Sequence, residues 1–290
     1  MTLVALAPGK VNLCLFLGPL REDGRHEVVT LLESVSLADV VAVEELPGRP
    51  GQSDQVECAT VPGLNIVSQT LNGLRARGWD GPPLRVVIEK RIPVAAGMGG
   101  GSADAAAMLR LARSVAPVPD GVAAELAAAL GADVPSQLSP GLWLGTGAGE
   151  VVERRAPLAE HAFVIVPAAF GLSTPDVYRE ADRLALPRDA SDLARQLAAV
   201  RAGGMPELVN DLEAAALSLR PQIGRTLEAV RDSGAEHAMV SGSGPTVFGL
   251  FFGADAETQA EKAAARLAAR YPGASSAAPV SEDFGAPRGS

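Results

Sequence analysis

The alternation of apolar and polar residues predicts a strand near the start of the chain. Apolar side chains occupy every second position from Val11 to Leu17, whereas Lys10 and Asn12 fall on the opposite face. This pattern is typical of a half-buried strand. Further elements predicted in the first half are strand over 28–44, a helix over 66–77, a β-rich run over 84–92, a short helix over 122–130 and a hairpin over 141–153.

The second half mixes strands with several amphipathic helices. Its first element is a buried strand predicted from "AFVIVPA" at 162–168. The remaining predicted elements are helices over 175–184, 191–202, 206–217, 221–233 and 257–270, and strands over 238–240 and 247–252. We therefore predict two domains, residues 1–155 and 156–280, followed by a disordered tail over 281–290.

The stretch "PVAAGMGGGSADAAAMLRLA", residues 93–112, joins a glycine cluster to an alanine-rich run. Glycines permit close approach of a ligand and positive φ, here expected at Gly100, and amides at a helix start favour anions. Ser102 is predicted to cap the helix. The stretch has neither the P-loop lysine nor the dinucleotide fingerprint. It therefore predicts either a phosphate loop held by amides and Ser102 or a plain flexible turn.

Composition limits the partners and the location of the protein. The 290 residues are 47% apolar, enough for a substantial core, and the net charge of −9 argues against general nucleic-acid binding. Cys14 and Cys58 lack metal or redox spacing, so a reducing compartment is expected. Without a run of about 18 apolar residues, a cytoplasmic protein that does not bind membranes is predicted. His161 and His237 are predicted to be ordinary surface or strand positions.

Three segments occur in an informative order. They are "LAPGKVNLCL" at 6–15, the glycine stretch at 93–112 and "MVSGSGPTVFGLF" at 239–251. Together they resemble the superfamily of galactokinase, homoserine kinase, mevalonate kinase and phosphomevalonate kinase. The resemblance implies an α+β, two-domain small-molecule kinase fold, with a ribosomal-protein-S5-like N-terminal domain and a ferredoxin-like C-terminal domain. It also implies an active site between the domains that uses ATP and Mg²⁺.

Further segments narrow the resemblance. They are "REDGRHEVVTLLESVSLAD", "GGGSADAAA", "LGADVPSQL", "GTGAGEVVE", "STPDVY" and "NDLE". With the three motifs they cover residues 4–252 and resemble the 4-diphosphocytidyl-2-C-methyl-D-erythritol kinases of the non-mevalonate isoprenoid pathway. Transfer of the ATP γ-phosphoryl group to the 2-hydroxyl of a cytidine-diphosphate-linked erythritol is implied. Arg25, Ser136 and Gln137 depart from the family pattern.

Lys10 and Asp133 are the predicted catalytic residues. A carboxylate within reach of an alcohol can accept its proton, and a neighbouring ammonium keeps that carboxylate ionised. The residues alone leave open a helix-capping Asp133 and a solvated Lys10. Because both stand at motif positions, the resemblance favours the catalytic roles, with Asp133 as general base.

The resemblance also assigns binding residues. Those predicted to bind ATP are Asn65, Pro93, Ala96, Gly97, Gly99, Gly100, Gly101, Ser102 and Ala103. Those predicted to bind the substrate are Asn12, Arg25, His26, Tyr178, Ser241 and Gly242. Arg25 and Tyr178 are predicted to stack on cytosine while His26 reads its edge. Ser102 and Asp104 are candidate Mg²⁺ ligands, although Asp104 could simply favour the helix N-terminus and Asn65 could simply cap a helix.

Three rival functions stay open on the sequence. One is another kinase of the superfamily, of homoserine or mevalonate type; "DGRH" and "GADVP" speak against it. A second is a relative that binds ligand without turnover, which has no need of both Lys10 and Asp133. A decarboxylase of diphosphomevalonate is a weaker third. The oligomeric state is left open.

Overall fold

The computed structural model describes residues 2–47, 53–61, 63 and 65–289. The strands in these ranges are β1 (Thr2–Leu20), β2 (His26–Glu45), β3 (Gln55–Cys58), β4 (Leu84–Glu89), β5 (Leu142–Thr146), β6 (Val151–Arg154), β7 (His161–Val166), β8 (His237–Val240), β9 (Val247–Phe252), β10 (Ser275–Ala277) and β11 (Arg288–Gly289). The helices are α1 (Ile66–Ala76), α2 (Gly100–Val115), α3 (Val122–Leu130), α4 (Val134–Gln137), α5 (Thr174–Arg183), α6 (Ala190–Ala202), α7 (Glu213–Leu219), α8 (Gln222–Asp232) and α9 (Ala256–Ala268).

These elements form two sheets, one built mainly from the N-terminal half of the chain and one from the C-terminal half. The first runs in the order β11-β1-β2-β4-β3, with β5 paired to β2 and β6 paired to β5. The second runs in the order β10-β7-β9-β8. Apart from β11, the strands of the first sheet end along the chain at Arg154, and the second sheet begins at His161, so the predicted boundary near 155–160 lies between these strands. The α+β prediction is confirmed.

The strand β1 is buried on both faces, so the prediction of a half-buried strand is wrong. Every residue from Lys10 to Leu17 is at most 5% exposed. One part of the strand contacts α2, and Leu15 and Leu17 pack in the same apolar cluster as Val164 and Val240 of the other half. On the other face, Cys14 and Phe16 pack in the same apolar cluster as Phe163 and Phe248, so the C-terminal half also covers the face that an alternating pattern assigns to solvent. Lys10 and Asn12 do share a face, because their side chains are hydrogen bonded.

The predicted helix over 206–217 begins later than its pattern indicates. The structure has α7 only from Glu213, and residues 209–211 instead pair with β1. Leu15 N donates to Val209 O at 2.8 Å, and Asp211 N donates to Leu15 O at 2.9 Å. Because these backbone groups form an isolated parallel bridge with β1, they are not available for a helix.

The tail is also ordered, so the prediction of disorder is wrong for 281–289. Residues Glu282–Gly285 form a 3₁₀ turn, and β11 pairs with β1 through Leu3 and Val4. Arg110 Nε donates to Gly285 O at 2.9 Å. The edge of β1 and the half-buried guanidinium of Arg110 thus hold a polar segment that has no apolar pattern of its own. In the part of the chain described, none of the helices has both the length and the apolar character needed to cross a bilayer.

His161 and Glu33 form a buried pair between the halves. His161 Nε2 lies 2.8 Å from Glu33 Oε2, and His161 Nδ1 lies 2.7 Å from Ala159 O. A carbonyl and a carboxylate only accept hydrogen bonds, so both ring nitrogens are donors and the imidazole is charged. Burial lowers the pKa of His161, but Glu33 and the Ala159 carbonyl outweigh it and the net pKa is raised. His237, by contrast, is an exposed strand residue as predicted.

This pair predicts a pH-dependent stability. A raised pKa means that the contribution of His161 is complete below its ordinary pKa of 6.5 and is lost as pH rises through the folded-state value. We expect the free energy of unfolding to fall by about 1–3 kcal/mol across that rise. Urea unfolding followed between pH 6 and 9 measures it, and His161→Gln should remove this component. An unchanged pH profile in the variant would show that other groups cause the dependence.

Candidate active site

A cavity of about 560 Å³ lies between the two halves. Its walls come from β1, α1, the loop before α2 and the start of α4 on one side. Thr174, Tyr178, Leu212, Gly242 and Ser243 line the other side. A cleft of this size with converging polar groups is the ordinary form of a small-molecule site. The cavity lies where an active site between the domains is predicted, and its role as the active site stays a prediction.

The glycine loop ends in the first turn of α2. Gly97 and Gly99 have positive φ values of +76° and +65°, and Gly99 is the N-cap residue. The helix begins at Gly100, so the predictions of a Ser102 cap and of positive φ at Gly100 are wrong. Amides in the first turn of a helix have no intrahelical acceptor, and the helix dipole adds positive potential there. This geometry suits a phosphate.

The glycine loop packs directly on the turn at Ser241–Gly244. A Cβ added to Gly97 would lie 2.6 Å from Ser241 O and 2.7 Å from Gly244 O, so only glycine fits. Thr246 N donates to Ala96 O at 3.3 Å. The first motif joins the same contact, because Lys10 N donates to Met98 O at 2.9 Å. All three sequence motifs therefore meet at one place.

Lys10 is held by fixed acceptors at the base of the cavity. Its side chain is 7% exposed, and Nζ donates to Asn12 Oδ1 at 2.7 Å and to Gly97 O at 2.9 Å. Asn12 is fixed in turn, because its Nδ2 donates to Thr30 Oγ1 at 2.8 Å. The ammonium is therefore oriented before any ligand arrives. Thr30 was not predicted as a site residue, although it stands on β2 within the segment at 21–39 that carries the resemblance.

Asp133 stands opposite Lys10 with a free carboxylate. Its Oδ2 is 3.8 Å from Lys10 Nζ, and the side chain is 33% exposed. Asp133 precedes α4 but its side chain caps no amide of that helix, so the capping alternative is not supported. Ser136 and Gln137, which depart from the family pattern, are buried below Asp133 and lie outside the cavity lining. Their departure therefore concerns packing rather than the cavity wall.

Tyr178 lines the cavity near Asp133. Burial first, and then the negative charge of Asp133, raise the pKa of Tyr178 to about 12. His26 lies beside it, with ring centroids 5.8 Å apart and planes inclined at 33°. His26 Nδ1 is 2.8 Å from Gly18 O and is therefore the protonated nitrogen. His26 Nε2 lies 3.0 Å from Asp182 Oδ1 without hydrogen-bond geometry to a described residue.

Arg25 does not join this aromatic pair. Its guanidinium makes two hydrogen bonds to Asp23, its side chain is 54% exposed, and it is not part of the cavity lining. The predicted stacking of Arg25 on cytosine therefore finds no support in this geometry. Three other predicted binding residues also lie outside the cavity lining: His26 is buried beside Tyr178, Ala103 is buried in the core, and Ser241 Oγ donates to Gly97 O at 3.3 Å.

Lys90 is a cavity residue that the motifs do not indicate. Its ammonium contacts Asp39 and lies 2.7 Å from Asp104 Oδ2. Asp39 also accepts Arg91 N and Ile92 N, which fixes it at the end of β4. The pKa of Lys90 is raised, because the two carboxylates outweigh burial. The scarcity of lysine, with only three in the chain, was the one available signal for its role.

Oxygen donors for a cation lie next to the glycine loop. Asp104 is 4% exposed, and its Oδ1 lacks a hydrogen-bond partner within the described residues. Burial raises the pKa of Asp104 to about 7 despite the neighbouring Lys90. Ser102 lines the same wall. No group of three or more His, Cys, Asp or Glu side chains that could hold a metal occurs in the described ranges. Because Mg²⁺ is held by one or two protein oxygens plus phosphates and waters, the donors present still fit it.

Asn65 is the N-cap of α1. Its Oδ1 accepts from Val67 N at 3.0 Å and Ser68 N at 3.1 Å, so the capping interpretation is confirmed. Asn65 also lines the cavity, and its buried Nδ2 has no partner among the residues described. The remaining donor is thus available to a ligand, and the predicted contact with the nucleotide base stays a prediction.

Similar proteins connect this geometry to a family. The models described as "GHMP kinases N terminal domain" and "GHMP kinases C terminal" match residues 65–141 and 185–273. A 4-diphosphocytidyl-2-C-methyl-D-erythritol kinase of Corynebacterium efficiens is 40% identical over 265 residues, covering 85% of this chain and 84% of that protein. A protein of the same name from a Nocardioides species is 42% identical over 262 residues, covering 86% and 88%. The chain belongs to the 4-diphosphocytidyl-2-C-methyl-D-erythritol kinase family of GHMP kinases.

Similarity to solved structures supports this family assignment. A crystal structure of a 4-(cytidine 5'-diphospho)-2C-methyl-D-erythritol kinase superposes with a TM-score of 0.78 at 30% identity, covering 96% of this chain and all of that one. Homoserine kinase from Cytophaga hutchinsonii gives a TM-score of 0.70 at 18% identity, covering 99% of this chain and 96% of that one, and shares the fold. The predicted GHMP kinase fold and kinase family are confirmed. The roles assigned to single residues stay predictions.

Proposed function

We propose that the chain transfers the γ-phosphoryl group of ATP to the 2-hydroxyl of 4-diphosphocytidyl-2-C-methyl-D-erythritol, giving the 2-phosphate and ADP. The observation that carries this proposal is the pairing of Lys10 Nζ and Asp133 Oδ2, 3.8 Å apart, in a cavity that also contains the N-terminus of α2. The identity of the substrate is inferred from the family to which the chain belongs. The cytoplasmic location stays a prediction.

In the proposed reaction, one end of the cavity binds ATP and the other end holds the attacking hydroxyl and its proton acceptor. The first-turn amides of α2, with Asn65 and Lys90 nearby, suit the phosphates and base of ATP. Asp133 accepts the proton of the attacking hydroxyl, whose oxygen then forms the new bond to phosphorus while the bond to the ADP oxygen breaks. Lys10 orients Asp133 and offsets the negative charge that develops on the attacking oxygen.

Mg²⁺ would be held by Ser102 and Asp104 together with ATP phosphates. When bound, the ion neutralises phosphate charge. The protein's own contribution is to hold the acceptor, the ammonium and the helix N-terminus in fixed relation. That relation depends on hydrogen bonds from Lys10 to Asn12 and Gly97, which are made without any ligand.

The direct test is ADP release with a panel of alcohols. We expect turnover with 4-diphosphocytidyl-2-C-methyl-D-erythritol, and little with homoserine or mevalonate. Preferential turnover of either of those would instead establish another GHMP kinase activity. ATP and substrate binding with no release of ADP or of carbon dioxide would indicate a relative that binds without turnover.

Tyr178 provides a test of the substrate end. Its ring lines the cavity, and stacking of an aromatic on a base is worth roughly 1–3 kcal/mol. We therefore expect Tyr178→Ala to raise KM for the cytidyl substrate by about 5–150-fold, with the KM for ATP little changed. Tyr178→Phe is the matched control, since it keeps the ring. An effect of Tyr178→Ala on the KM for ATP alone would place the cytidine elsewhere.

A further inference from the structure

The segment Val209–Glu213, which contains the sequence "NDLE", connects the two halves at the floor of the cavity. Its backbone pairs with Leu15 through hydrogen bonds of 2.8 Å and 2.9 Å, from Leu15 N to Val209 O and from Asp211 N to Leu15 O. Leu15 lines the cavity and stands three residues after Asn12 on β1. The segment is therefore fixed to the strand that carries Lys10.

Asn210 extends this connection to the third glycine motif. Its side-chain Nδ2 donates to Val240 O at 2.8 Å and to Gly242 O at 2.7 Å, and its Oδ1 accepts from Leu212 N at 3.0 Å. The residue is only 8% exposed. Both N–H groups of the carboxamide face carbonyl oxygens, which only accept, so the amide orientation is determined by its partners.

The backbone that Asn210 holds lies against Lys10 and Asn12. Gly242 has φ of +55°, and a Cβ added there would lie 2.9 Å from Asn12 Oδ1 and 3.4 Å from Lys10 Nζ. The neighbouring Ser241 Oγ donates to Gly97 O, the same oxygen that accepts from Lys10 Nζ. A shift of this turn would therefore affect Lys10 both directly, through Gly242, and through its acceptor Gly97 O.

We propose that Asn210 is a positioning residue for phosphoryl transfer, because its carboxamide fixes the Ser241–Gly242 turn against Lys10 and Asn12. This proposal rests on the proposed function for its reaction, but not for its geometry. Asn210 touches neither Lys10 nor the cavity surface and acts through Gly242.

Asp211 and Glu213, the other two polar residues of the segment, stabilise different strands. Asp211 accepts from Leu17 N at 2.9 Å and binds Arg188 through both carboxylate oxygens, so it anchors the end of β1. Glu213 Oε2 accepts from Val240 N at 2.9 Å and anchors the end of β8. Asp211 makes no contact with the Ser241–Gly242 turn among the described hydrogen bonds, which makes it the matched control for Asn210.

The test compares Asn210→Asp and Asn210→Ala with Asp211→Asn. Asn210→Asp is isosteric but sets a carboxylate against two carbonyl oxygens, and Asn210→Ala removes both donors. We expect kcat to fall by about 10²-fold in the Asn210 variants, since small displacements of reacting groups have effects of that order. KM for ATP should change less than about threefold, because the α2 amides are untouched. Asp211→Asn should lower the melting temperature but keep kcat.

A second readout needs no substrate. Hydrogen exchange of the ligand-free protein, followed in peptides covering 240–246, should be about tenfold faster in Asn210→Ala than in the wild type. Asp211→Asn should leave those peptides unchanged. Both measurements are made at a temperature where circular dichroism shows every variant folded.

The outcomes separate this proposal from the proposed function. If the wild-type chain phosphorylates a different alcohol, the proposed function fails and the same variants are compared with that alcohol. The role of Asn210 is overturned if either Asn210 variant keeps kcat within about threefold of wild type, or if Asp211→Asn loses as much kcat as they do. Unchanged exchange over 240–246 in Asn210→Ala would overturn it as well.

Discussion

Asp133→Asn is expected to lower kcat by about 10²–10⁴-fold while ATP still binds. The substitution keeps the shape of the side chain and removes the carboxylate that we propose accepts the proton of the hydroxyl. The carboxylate caps no helix amide, and its charged neighbour is Lys10 at 3.8 Å. Little stability should therefore be lost, and the effect should appear in turnover.

The measurement combines ADP release with calorimetric binding of a non-hydrolysable ATP analogue. Asp80→Asn makes the same chemical change on an exposed residue outside the cavity lining and should behave as wild type. A near-normal kcat in Asp133→Asn would remove Asp133 as general base. A loss of analogue binding would instead assign Asp133 to the nucleotide end.

The sequence predicted which segments meet at the candidate site better than it predicted how the surrounding elements pack. Three ordered motifs indicated, through their resemblance to the kinase superfamily, which segments form the site. The structure then showed that Gly97 fits where a Cβ would not and that Gly97 O accepts from Lys10. Alternation along β1 could not show that the C-terminal half covers its second face. Helical spacing over 206–217 likewise could not show that residues 209–211 use their backbone groups on Leu15.

Two parts of the site depend on contacts between residues far apart in sequence. Lys90 meets Asp39 across 51 positions, and Asn210 reaches Gly242 across 32. Neither contact follows from local periodicity, because each partner stands on a different element. The prediction of Ser102 as the cap is wrong for a different reason. Gly99 is the N-cap and Gly100 and Gly101 are the first helical residues, so α2 has already begun before Ser102, the first residue whose side chain could cap it.

The close contact at Gly97 leads to the second large expected effect. Gly97→Ala should lower kcat/KM for ATP by about 10²-fold, since a small misplacement of catalytic groups is enough for such a loss. Its added Cβ would meet Ser241 O at 2.6 Å and Gly244 O at 2.7 Å, both backbone atoms that cannot rotate away. The loop must then withdraw, which breaks the 2.9 Å hydrogen bond from Lys10 Nζ to Gly97 O.

Gly78→Ala separates this collision from simple backbone strain. Gly78 has a similar φ of +87°, follows α1 outside the cavity lining, and has no described atom within 4 Å of an added Cβ. Both variants should lose about 1–2 kcal/mol of stability from the left-handed conformation, but only Gly97→Ala should lose kcat/KM. Steady-state kinetics with urea unfolding on the same samples measures both quantities. A folded Gly97→Ala protein with kcat/KM near that of Gly78→Ala would mean that close packing of the glycine loop on the Ser241–Gly244 turn is not required for catalysis.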